Sequence, residues 1–100
     1  FADDDRTALD AAYREWRFAA LERTELAELP NPRAFSDACT RVEKESLLRS
    51  LRISSDPARH VDWLRADLEL GFDALYLHNL ERNQERFIDV FASHVLPKLR

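Results

Sequence analysis

Few residues in this chain could do chemistry, and most of them have a plainer use. His60, His78 and His94 are the three histidines, and their separation shows no metal-ligand spacing. His60 and His94 fall on separate expected helices, so no zinc or iron centre is expected. Cys39 lies on an apolar helical face with no obvious base nearby, which reads as a buried structural thiol rather than a nucleophile. As the only cysteine it forms no internal disulfide, and a reducing cytoplasm is the expected setting. The run Asp3-Asp4-Asp5 could hold a cation, but a helix N-cap and the positive end of a helix dipole explain it more simply. Tyr13 and Trp16 could stack on a ring. They also share a face with Leu9, Ala12 and Ala20, and core packing is the weightier reading. Gly71 is the single glycine, which excludes a glycine-rich phosphate loop within these residues.

The elements that must position these groups are constrained by length and composition. The chain has 100 residues, 45% hydrophobic and 34% charged, enough for one segment with a modest core. No apolar run approaches the roughly 18–20 residues that span a bilayer, so no membrane partner is expected. The opening Phe1-Ala2-Asp3-Asp4-Asp5 has neither the basic nor the apolar region of a signal peptide. The net charge is -4 and the basic residues are scattered, which argues against a nucleic-acid partner.

Leu and Ala together number 28 against nine Val, Ile and Thr, a balance that favours helix. Apolar spacing predicts a first helix over about Asp5 to Arg23. Residues from Glu22 to Leu29 are ambiguous. Asn31 then Pro32 is a cap followed by a first helical residue, and Phe35, Ala38, Cys39 and Val42 form the apolar face of a short helix. Leu47, Leu48 and Leu51 suit a further short turn, and Leu51 to Ser54 a short extended piece. Asp56 then Pro57 starts a stronger helix to about Leu70, with Ala58, Val61, Leu64 and Leu68 inward. Gly71 stands where a left-handed residue is needed to stop it. Phe72 to His78 is the best strand, dense in apolar residues and bounded by turn signals. A last helix follows from about Asn83 to Leu96, with Phe87, Ile88, Phe91 and Val95 buried.

One good strand poses a physical problem, because its backbone groups need neighbours to bond. The strand, together with a start at Phe1 rather than Met, leads us to expect a piece of a longer α/β protein with further strands upstream.

Three stretches carry a resemblance: Ser55-Asp56-Pro57-Ala58-Arg59-His60-Val61, Gly71-Phe72-Asp73-Ala74-Leu75-Tyr76-Leu77-His78-Asn79, and Asn83-Gln84 with Phe87-Ile88, Phe91 and Val95-Leu96-Pro97. Together they resemble the C-terminal end of the luciferase-like flavin and deazaflavin oxidoreductases, in the glucose-6-phosphate dehydrogenase-like branch that includes coenzyme F-420-dependent and non-F-420 flavinoid members. The opening Asp3-Asp4-Asp5-Arg6 with Ala8-Leu9 and Trp16 resembles the stretch after that family's seventh barrel strand. The resemblance implies an α/β fold: the mostly helical C-terminal fragment of a (β/α)₈ TIM barrel, which typically holds about 250 residues. Residues 1–100 would form a single segment without a second domain, and Phe72 to His78 would be the eighth strand. It implies hydride transfer between FMN or coenzyme F-420, bound mainly by upstream residues, and a small organic substrate. The upstream part of the same barrel would be its first partner, and a homo-oligomer is compatible with it. A contrasting reading is a self-contained acidic helical interaction module without catalytic activity.

Barrel sites lie at the C-terminal ends of the strands. For this chain that implies His78 and the loop to Gln84, with no catalytic residue assigned because the family's reacting groups come from earlier strands. His78 would share the inward face of the strand with Phe72, Ala74 and Tyr76 and face a substrate or cofactor edge, or else cap the strand. Asn79, Asn83 and Gln84 are neutral donors that could hold a phosphate or ribityl oxygen at the helix start. Asn79 or Asn83 serving simply as the N-cap is the simpler reading. Relatives often carry glycine where Glu81 stands, and a carboxylate there repels phosphate.

Overall fold

A computed structural model describes residues 1–100. Its regular structure is helical, with six α-helices, 3-10 and π-helical turns and no strand, and residues 70–83 between the last two α-helices carry no helix. Helix α1 spans Asp5–Trp16, α2 Arg23–Glu28, α3 Pro32–Thr40, α4 Leu47–Ser50, α5 Pro57–Glu69 and α6 Gln84–Val90.

Helix starts follow local capping chemistry. Asp4 accepts the Thr7 amide at 2.7 Å, and Asn31 accepts that of Ala34 at 2.9 Å. Asp56 accepts the Ala58 amide at 2.9 Å ahead of Pro57. Each bond satisfies an amide that has no partner inside its helix. Helix α5 ends at Gly71, whose φ of +89° is open to glycine at little steric expense.

Helix ends were less legible. The first helix stops at Trp16, where φ -145° and ψ 35° leave the helical region, and a 3-10 turn over Arg17–Ala20 follows. Residues 22–29, ambiguous by pattern, include α2. Helix α6 passes into a π-helical turn at Phe91–Val95 and a 3-10 turn at Leu96–Lys98, which contains Pro97. The switch keeps Val90, Phe91 and Val95 buried together, whereas Ile88 is 60% exposed. The expected inward place of Ile88 is therefore corrected, as are those of Ala58, Leu68 and Leu48, all exposed.

The expected strand Phe72 to His78 does not form, so within these residues the α/β expectation is corrected to all-helical. No backbone–backbone hydrogen bond involves residues 72–80. A strand exists only through a neighbour's amides and carbonyls, and neither this segment nor Leu51 to Ser54 has one. Its expected inward face is open: Phe72 is 57% and Tyr76 96% exposed, and Ala74 and His78 are exposed too.

Two small packed regions hold the chain together. Val61 and Leu64 of α5 meet Val90, Phe91 and Val95, with Phe1, Leu75, Phe87 and Leu99 against them. Elsewhere α4 packs on α1 and on the Arg17–Ala20 turn, and Leu47 is fully buried. Ala38 and Cys39 of α3 are buried, as expected for a structural thiol.

Candidate functional site

A cavity of about 380 Å³ lies between α1, α5, the start of α6 and residues 75–81. Its walls are mostly apolar, with Ala12, Trp16, Leu64, Leu75 and Phe87 among them. Such a volume and lining suit a small organic ligand or a ring system.

The four expected site residues come close together in space but do different things. Asn79 is buried; its Oδ1 accepts from the Phe1 amino group at 2.8 Å. The Gln84 side-chain amide folds back on the loop and donates to the Asn79 carbonyl at 3.0 Å and to that of Glu81. Asn83 caps α6, its Oδ1 accepting the Arg86 amide at 3.1 Å, as the simpler reading had it. Its own amide donates to the Glu81 carboxylate at 2.7 Å. The loop's donors are thus largely engaged by the loop, and a carboxylate already sits where an incoming anion would dock.

His78 differs from its neighbours. It lines the cavity, makes no hydrogen bond within the chain, and packs edge-on to Trp16 with ring centroids 5.0 Å apart. Both imidazole nitrogens are therefore open to a ligand.

The acidic opening is fully used in holding this region. Besides the Asp4 cap, Asp5 accepts the Ser55 amide at 2.7 Å, and Asp3 pairs with Arg86 at 2.8 Å. The Ser55 amide holds the Asp5 carboxyl below the usual range, and Thr7 does the same for Asp4. Glu15 accepts from Arg14 at 2.8 Å and from Arg82 at 3.1 Å, tying α1 to the loop before α6, and both arginines depress its pKa.

Two features were missed in the sequence. Arg52 forms a two-point ion pair with Asp67 at the cavity edge, one contact at 2.8 Å, which fastens the extended Leu51 to Ser54 piece to α5. That pairing lowers the Asp67 pKa and raises that of Arg52. His60, expected on a helix and assigned no part in the site, is buried at the cavity wall. Its Nε2–H donates to the Ser54 carbonyl at 2.9 Å, and its ring lies between Phe1, Trp63 and Phe91. Burial pushes its pKa down, so the imidazole is neutral at neutral pH. The signal was available: His60 lies four residues before Leu64 and beside Val61, on the buried face.

No protein-family model matches the chain. Its sequence is similar to proteins named F420-dependent glucose-6-phosphate dehydrogenase. The Nakamurella multipartita protein is 30% identical over 98 residues, covering 98% of this chain. That of Kribbella flavida is 31% identical with all of this chain covered, and that of Beutenbergia cavernae 28% over 98 residues. This chain is a sequence relative of the F420-dependent glucose-6-phosphate dehydrogenases. It spans 29% of the length of the Nakamurella and Beutenbergia proteins and 34% of the Kribbella one. The similarity runs through both halves of the cavity, from α1 to α6, and so includes Trp16, Asn79 and His78 among the aligned span. No helix is long and apolar enough to cross a membrane.

Proposed function

We propose that this chain is the C-terminal part of a luciferase-like (β/α)₈ oxidoreductase that moves hydride between a deazaflavin coenzyme and a small organic substrate. The observation that carries the proposal is the similarity over 98 residues to F420-dependent dehydrogenases about three times as long. The physical state of the chain supports it. Only 15 of 100 residues are buried, and the radius of gyration is 15.3 Å, against about 13 Å for a compact domain of this length. Residues 72–78 then pair as the eighth strand with the rest of the barrel, which supplies the hydrogen bonds they lack here. FMN, the other cofactor expected, has no support from the relatives, and neither has an independent interaction module.

The residues present fit part of such a coenzyme. The apolar cavity wall with Trp16 and the open imidazole of His78 suit a ring edge or a neutral polar substrate group. The Asn79 to Gln84 loop does not suit a phosphate, because its donors are engaged and Glu81 repels anions. Phosphate groups are accordingly held by residues outside 79–84. The coenzyme, when bound, supplies the hydride chemistry. This chain shapes the wall, excludes water with Trp16 and Phe87, and offers His78 as a hydrogen-bonding partner at the rim.

Purified full-length protein is titrated with oxidised deazaflavin coenzyme and with FMN, and then assayed for bleaching of the coenzyme on adding glucose 6-phosphate. Coenzyme binding without FMN binding is the expected result. Absence of coenzyme binding refutes the proposal. Binding without turnover moves the substrate to another small organic molecule. With the natural substrate, His78→Ala is expected to raise KM or lower kcat while leaving the melt unchanged.

A further inference from the structure

The contact between Trp16 and His78 joins α1 to the segment before α6. Residues 72–80 make no backbone–backbone hydrogen bond within these 100 residues, and a ladder to the rest of a barrel would fix the backbone of His78 but not the rotamer of its ring. Among the four rim residues, Asn79 accepts from the Phe1 amino group, Asn83 accepts the Arg86 amide and Gln84 donates to the Asn79 carbonyl, whereas the His78 side chain makes no hydrogen bond. The group in direct ring contact with it is the Trp16 indole, at 5.0 Å and 61°.

Trp16 is itself held firmly. It stands where α1 breaks, and its ring packs on Phe18 at 5.5 Å, which in turn meets Phe35 of α3 at 6.0 Å. Four rings thus run from the cavity rim through the end of α1 to α3. Both Trp16 and His78 line the cavity. A neutral imidazole offers one donor and one acceptor, and its value to a ligand depends on its being held in one rotamer before the ligand arrives.

We infer that Trp16 is a positioning residue for His78. Its indole holds the imidazole at the cavity wall with both nitrogens free to hydrogen-bond a neutral carbonyl or hydroxyl of the bound ligand. This rests on the reading of the cavity as a ligand site. The aromatic ladder makes the end of α1 part of that site. An edge-to-face pair of this kind corresponds to roughly a twofold to twelvefold change in an equilibrium constant.

The test is a double-mutant cycle in the full-length protein with two probes, the deazaflavin coenzyme followed by its fluorescence and glucose 6-phosphate. Trp16→Leu is expected to weaken at least one probe by roughly threefold to tenfold, and Trp16→Phe by less, because a ring remains. His78→Ala weakens the same probe, and the Trp16→Leu/His78→Ala double variant is no weaker than His78→Ala alone. A readout independent of binding is the NMR position of the His78 ring protons, shifted by the indole in the parent and released in Trp16→Leu. Additive binding losses overturn the proposal, as do His78 protons that do not move. If His78→Ala changes neither probe while the parent still binds coenzyme, the positioning role falls and the functional reading survives. If the parent binds neither probe, the functional reading falls and the ligand role of His78 with it. Should Trp16→Leu lower the melt, the Trp16→Phe arm and the NMR shift decide.

Discussion

Replacing Phe91 by alanine tests whether the core beside the cavity is correctly understood. Phe91 is 6% exposed and sits in the cluster with Val61, Leu64, Val90 and Val95. Its ring meets Phe87 at 4.3 Å, His60 at 5.2 Å and Phe1 at 5.8 Å. Truncation removes the buried ring and leaves a void that helices α5 and α6 fill only partly. Phe-to-Ala changes in such settings cost about 3–5 kcal/mol. Each aromatic pair adds roughly 0.5–1.5 kcal/mol beyond area, which places this site toward the upper end. Urea denaturation followed by circular dichroism reads the loss, and with slopes of about 1–3 kcal/mol/M the midpoint falls by 1 M or more. Ile88→Ala is the control: in α6, which runs into the turn that holds Phe91, but 60% exposed, it should change stability by no more than about 0.5 kcal/mol. Equal midpoints for the two variants, or a Phe91→Ala midpoint at the parent value, would refute the assignment of the buried face through the π-helical turn.

Three further outcomes are expected. Gly71→Ala should cost about 1–2 kcal/mol from backbone strain alone, since a Cβ there meets nothing within 4 Å; an unchanged midpoint contradicts the left-handed stop. Asn31→Ala should lose about 1 kcal/mol of cap energy, recovered largely by Asn31→Asp; equal loss in both variants shows that the cap bond is not the cause. Burial lowers the His60 pKa in the folded chain, so the unfolded chain binds its proton first as pH falls. Stability is therefore full above the unfolded value of about 6.5 and declines as pH drops below it toward the depressed folded pKa. His60→Phe should remove that part of the slope, and urea midpoints measured across the range check it.

The sequence by itself determined the local starts and stops. Asn31 and Asp56 cap ahead of a proline as the pattern had it, and Asp4 is the cap within the expected Asp3 to Asp5 run, because capping involves atoms only two or three residues apart. Gly71 ends α5 for an equally local reason. The family likeness was legible too, in stretches that run from Ser55 to Pro97. Tertiary structure decided what depends on distant atoms. The periodic run beyond Trp16 did not continue as helix, because α4 packs into the turn that follows α1. Phe72 to His78 has the composition of a strand, yet a strand is a relation between two segments, and no second segment bonds it here. His60 was visible only as a helical residue, and the Ser54 carbonyl and three aromatic rings that enclose it come from elsewhere in the fold or from across the helix. The meeting of Trp16 with His78, 62 positions later, is of the same kind: each residue was visible alone, and only folding put one against the other.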